Sequence, residues 1–123
     1  MGRSILLVDG DANFRRALAI ALRLEGIRVE EAESPTEARR QLAAETFDLA
    51  LVDLLLPIGE AVDLVELLRA RHPGTRPILC CARPEAFAAV RQRAPGVRRL
   101  EKPFTPESVL PLLDERDALA GKS

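Results

Sequence analysis

The chain has 123 residues, 47% apolar and 30% charged, which suits one globular domain with one core and leaves no room for a second. Eighteen Lys and Arg against 19 Asp and Glu leave a formal net charge of −1, which excludes a large basic field for nucleic acid, and no apolar run approaches a bilayer span. The two cysteines, Cys80 and Cys81, are adjacent and cannot make a disulfide framework; with the single histidine, His72, they make a poor metal site.

The chain opens Met1-Gly2-Arg3-Ser4 and passes at once into the apolar run 5–8, followed by Asp9. So short a start holds no secretory signal, so a cytoplasmic chain is expected. Asp11 is placed to cap a helix in which Phe14, Ala17, Leu18, Ala21 and Leu22 share one face, and Gly26 ends it. Arg28–Ala32 mixes polar and apolar residues as an edge strand does. Ser34-Pro35-Thr36-Glu37 is a capping box with proline at the first helical position, continued by Ala38 and Leu42. Residues 49–52 form a second apolar run, ending at Asp53. Val62, Val65 or Glu66, and Arg69 mark a third helix, stopped by Pro73-Gly74. Residues 78–81 are a third apolar run, and 84–94 read as a fourth helix ended by Pro95-Gly96. Residues 97–101 fit a second edge strand. Thr105-Pro106-Glu107 opens a fifth helix, where Pro111 removes the donor to the Glu107 carbonyl and predicts a kink or a short helix.

Continuous apolar runs are strands buried on both faces, and five β–α units in alternation predict a doubly wound α/β domain. Ligands in such folds bind beyond the carboxyl ends of the strands. The residues there are Asp9 with Asp11 two later, Asp53, Cys81-Ala82 and Lys102-Pro103. Carboxylates are hard oxygen ligands suited to Mg²⁺, and a lysine beside them offsets their charge and pairs with an oxyanion. Together they make a site for a phosphoryl group.

The segments Ile5-Leu6-Leu7-Val8-Asp9, Leu51-Val52-Asp53-Leu54-Leu55-Leu56-Pro57 and Leu100-Glu101-Lys102-Pro103-Phe104 stand in the order and spacing of a known family. Over nearly its whole length the chain resembles the response-regulator receiver domains of two-component signalling. The resemblance implies a single receiver domain over 1–123: a flavodoxin-like fold with a five-stranded parallel sheet in order 2-1-3-4-5 and five helices. It implies a non-enzymatic, cytoplasmic phosphorelay component in which Asp53 accepts a phosphoryl group from a histidine kinase or phosphotransfer protein. Lys102 would contact that group, and the Lys102-Pro103 bond would be cis. Mg²⁺ would be held by Asp9, Asp53 and the Leu55 carbonyl. Downstream contacts would use the face of the fourth helix, fifth strand and fifth helix.

Three positions depart from the family pattern. Receivers carry two adjacent acids after the first strand, and here Gly10 takes the place of the second, so metal binding is expected to be weak. Asp11 is one residue late and reads as the helix cap. Cys81 stands where the family has Thr or Ser, and a thiol is a weak donor. Arg99 stands where the family has an aromatic that turns inward on activation, and a lone Arg does not bury. Both switch positions are thus degenerate, and a phosphorylation-independent pseudo-receiver stays open as a second reading. Arg91, Arg93, Arg98 and Arg99 beside Glu107, Asp114, Glu115 and Asp117 could form a mixed-charge face compatible with a homodimer. A remote third reading takes Asp9 and Asp11 as the acid pair of a haloacid-dehalogenase-like phosphotransferase, although no later strand supplies its second acidic pair. Neither a membrane nor direct nucleic-acid contact is expected. Gly121-Lys122-Ser123 leaves no output domain after the last helix, which fits a stand-alone regulator or a receiver cut from a longer protein.

Overall fold

The computed structural model describes residues 2–54 and 58–115, with Ile58 as backbone only. Five parallel strands form one sheet: β1 (Ser4–Val8), β2 (Arg28–Ala32), β3 (Leu49–Asp53), β4 (Arg76–Cys81) and β5 (Arg98–Glu101), in order β2-β1-β3-β4-β5. The helices are α1 (Ala12–Leu24), α2 (Pro35–Ala44), α3 (Ile58–Arg71), a 3-10 helix (Pro84–Val90) and α4 (Pro106–Asp114).

β1 and β3 are buried at all five positions, and β4 over its last four, as continuous apolar runs between two helical layers must be. Because successive strand residues face opposite ways, the runs split into two cores. Ile5, Leu7, Leu49, Leu51, Ile78 and Cys80 pack with Leu18 and Leu22 of α1 and Val109 and Leu112 of α4. Leu6, Val8, Ala50, Val52, Leu79 and Cys81 pack with α2, α3 and Phe87 and Val90 of the 3-10 helix. β2 and β5 are the edges, β2 with mixed burial and β5 mostly exposed.

The caps follow the local sequence. The Asp11 side chain accepts from Phe14 N at 3.1 Å. The Ser34 hydroxyl accepts from Glu37 N at 3.2 Å, and the Glu37 carboxylate accepts from Glu33 N, one residue before the cap. Gly26 follows α1 with φ +86°, a region that disfavours side chains.

Several expectations change. The buried face of α1 uses Arg15, Leu18, Ala19 and Leu22; Ala17 is exposed and Ala21 only half-buried. On α3 it is Val65, not Glu66, that joins the core. The segment read as a helix over 84–94 is a 3-10 helix ending at Val90. Ala86 N bonds to Arg83 O and Arg91 N to Ala88 O, both three residues back, and no side chain caps its start. That tighter winding sets Phe87 and Val90 on one side, against the core. The last helix is short, as Pro111 predicts: it has nine residues, and Arg76 donates to the Leu112 carbonyl near its end. Two exposed members of the mixed-charge face have partners outside it. Arg93 reaches Asp63 and Glu66 of α3, and Asp114 pairs with Arg3. Asp117 and Gly121-Lys122-Ser123 lie outside the described residues, as do Leu55, Leu56 and Pro57.

Candidate functional site

Asp9 directly follows β1, Asp53 ends β3 and Lys102 follows β5, so the sheet's parallel register brings all three to one rim. Both aspartates are buried, at 5% and 3% exposure. The Lys102 Nζ lies 2.5 Å from Asp9 Oδ2 and 3.3 Å from Asp53 Oδ1. It also sits 4.5 Å from the centre of the Phe14 ring, which meets Phe104 edge-on at 5.3 Å. Lys102 N donates to Cys81 O at 2.9 Å, tying the lysine backbone to the end of β4, and the Lys102–Pro103 peptide is cis.

Every polar group of Asp9 is engaged. Its amide donates to Ala32 O at 3.0 Å, and its Oδ1 accepts from Asp11 N at 2.8 Å. Its carbonyl accepts from Arg15 Nη1 at 2.6 Å. A small cavity beneath the carboxylates is walled by Leu7, Phe14, Leu18, Leu51, Cys80 and Phe104. Burial raises the Asp9 pKa, against the lowering bonds from Lys102 and the Asp11 amide, and the Asp53 charge adds to the rise. Burial pushes the Lys102 ammonium down, but the Asp9 hydrogen bond and the charges of Asp9 and Asp53 outweigh it, and its pKa is raised. The carboxylates beside it thus keep the Lys102 ammonium protonated.

The other residues singled out in the sequence are placed as follows. Asp11 is exposed and spent on the α1 cap, away from any acid pair with Asp9. Gly10 brings no donor atom beyond its backbone. Leu55 lies outside the described residues. Cys81 is fully buried in the α2–α3 core, its Sγ 3.3 Å from both the amide and the carbonyl of Arg83. Arg99 is exposed, with its guanidinium 5.3 Å from the Phe87 ring centre. Burial drives the Cys80 thiol pKa up, so it stays protonated. Among the described residues no group of three or more His, Cys, Asp or Glu is set to hold a metal. The two carboxylates alone still fit a small hard cation that keeps most of its waters.

The sequence reading passed over Arg15, which is 7% exposed and bonds to Glu31 Oε1 through Nε at 3.0 Å. The signal was there: Arg15 stands at helical spacing from Leu18 and Leu22, on the buried stripe, where a charge needs a partner.

A family model described as the response regulator receiver domain matches residues 5–114. The chain belongs to this family. It is thus a receiver domain of two-component response regulators, a family that binds Mg²⁺ for phosphorylation. The acid tolerance regulatory protein ActR of Rhizobium meliloti (strain 1021) is 33% identical over 115 residues, covering 93% of this receiver and 59% of ActR. The photosynthetic apparatus regulatory protein RegA of Cereibacter sphaeroides is 42% identical over 74 residues, covering 60% of this receiver and 40% of RegA. This receiver therefore spans less than two thirds of either relative. The CheY-like receiver domain protein from Methanospirillum hungatei JF-1 superposes with a TM-score of 0.79 at 27% identity, over 93% of this receiver and 92% of that chain. The response regulator TrrA from Thermotoga maritima, in complex with Mg²⁺-BeF, gives 0.76 at 22% identity over 91% and 96%, a likeness of fold alone. Among the described residues no helix is long and apolar enough to cross a membrane.

Proposed function

We propose that this receiver accepts a phosphoryl group on Asp53 from a histidine kinase or phosphotransfer protein and passes the signal on through protein contacts. The observation that carries the reading is Lys102, held within 3.3 Å of both Asp53 and Asp9 at the carboxyl ends of the central strands. An Asp53 oxygen attacks phosphorus, the bond from phosphorus to the donor nitrogen breaks, and the donor imidazole leaves with its electron pair and takes up a proton. The product is an acyl phosphate. Lys102 faces the charge gathered on the transferred group, beside the half-buried rings of Phe14 and Phe104. Asp9 and Asp53, with the Leu55 carbonyl, would hold Mg²⁺, which supplies charge neutralisation at the phosphoryl oxygens. With Gly10 contributing no carboxylate, that hold is weak.

The outgoing contact is assigned to the face of the 3-10 helix, β5 and α4. It carries a groove of about 610 Å³ whose lining residues include Arg91, Arg98 and Arg99 and no carboxylate. The test is incubation with acetyl phosphate and Mg²⁺, read by intact mass. A phosphoryl mass shift in the wild type that vanishes in Asp53→Asn is expected. A shift that persists in Asp53→Asn overturns the assignment, and no shift in the wild type favours the pseudo-receiver reading, which Gly10 supports.

A further inference from the structure

Arg15 enters α1 one turn after the site, and its side chain is buried, with 8% exposure, where it reaches Asp9 after β1 and Glu31 of the edge strand β2. A buried guanidinium is costly unless its donors are met, and these have two specific acceptors. Nε bonds to Glu31 of β2 at 3.0 Å, and Nη1 bonds to the Asp9 carbonyl at 2.6 Å. Glu31 is itself fixed: its second oxygen lies 3.6 Å from Arg23, and its carbonyl accepts from Gln41 of α2 at 2.8 Å. The Asp9 amide is tied to the same strand end, through Ala32 O. Both main-chain polar groups of Asp9 are therefore anchored to β2, one directly and one through Arg15. The next residue is Gly10, where the chain has the most conformational freedom to let the loop drift.

We infer that Arg15 is a positioning residue that sets the Asp9 backbone, and through it the Asp9 carboxylate and Lys102, for phosphoryl transfer at Asp53. This rests on the proposed function. Arg15 takes no part in the bond-making step itself. It acts through the Asp9 carbonyl, and Glu31 holds it there. A shift of about 1 Å in such a group costs on the order of 100-fold in rate.

The test uses Arg15→Met, with Arg15→Lys and Glu31→Gln as milder variants should Met fold poorly. Arg28→Met is the control: Arg28 bonds to Glu45 at 2.5 Å and to the Thr46 carbonyl at the opposite end of the sheet. Labelling by acetyl phosphate is followed at saturating Mg²⁺, and hydrogen exchange at the Asp11 amide is followed in metal-free protein, alongside a urea midpoint. Arg15→Met should lower the limiting rate constant on the order of 10–100-fold. It should also speed Asp11 exchange about tenfold beyond what the urea midpoint explains, with Glu31→Gln in the same direction and Arg28→Met at wild-type values. A merely structural role would lower the folded fraction and the labelled amplitude but leave the rate constant unchanged, and that result overturns the inference. So does wild-type Asp11 exchange in Arg15→Met. If the wild type itself takes no label, it is the phosphoacceptor reading that has failed, and the role of Arg15 in transfer goes with it.

Discussion

Gly10 lies between an aspartate held by Lys102 and another spent on a helix cap, so the loop has no carboxylate to spare. Gly10→Asp restores one beside Asp9. Mg²⁺ affinity measured by calorimetric titration should rise by about 1–3 kcal/mol, in the range of charge-assisted contacts. Equal affinities would show that this position does not limit binding. The buried pair also sets a pH dependence. The folded Asp9 pKa is raised by burial above that of the unfolded chain, so folding takes up a proton there. The cost of the charged form is present above the folded pKa and is relieved as pH falls through it. In metal-free buffer, wild-type stability relative to Asp9→Asn should therefore increase from neutral pH toward acid, read as the difference between two urea midpoints. Lys102 acts in the same direction at higher pH: its raised pKa makes its contribution full below the free lysine value, and the contribution is lost as pH rises through the folded one. Asp9, Asp53 and Lys102 could be singled out in the sequence because each ends or follows a strand. Arg15 could not be given its role in that way, because its acceptors, a carbonyl and a glutamate on another strand, become neighbours only once β2 pairs with β1.

α4 shows how a helix can carry a proline and still end well. Pro111 offers no amide to the Glu107 carbonyl, yet Val109 and Leu112 remain buried, and Arg76 from β4 donates to the Leu112 carbonyl. Pro111 is exposed, so Pro111→Ala changes the backbone without disturbing the core. It should stabilise the protein by about 1–3 kcal/mol, less than the full interior proline penalty because the helix is short. Thermal unfolding checks the gain, and a lower midpoint would mean that the proline's fixed φ is worth more than the bond it removes. The 3-10 helix was legible as helical but not as 3-10. Its alanines favour an α-helix on propensity alone, and what decides otherwise is the seating of Phe87 and Val90 against the sheet, a tertiary demand.

Across the whole molecule, the alternation of apolar runs and capped helices made the doubly wound sheet readable, since few other packings bury strands on both faces. Which helix covers which face was not readable, because α1 and α4 share a layer though they are far apart in sequence. The same architecture bears on signalling. Cys81 keeps its sulfur on the Arg83 backbone, and Arg99 rests over Phe87 with its head in solvent, so neither gains much from a phosphoryl group. A ligand shifts a two-state equilibrium only by its differential affinity. Adding Mg²⁺ and beryllofluoride should move amide resonances around Asp9, Asp53 and Lys102 and leave 84–115 nearly still. Equally large shifts across 84–115 would reveal a different route through the fold.

The two cysteines, neighbours in the chain, stand in opposite layers: Cys80 beneath the carboxylates with α1 and α4, Cys81 against α2, α3 and Phe87. A thiol-trapping reagent can reach each only when its own layer parts from the sheet. Followed by peptide mass, their trapping rates are two separate clocks, one for the breathing of each side of the molecule, set into adjacent positions of one strand.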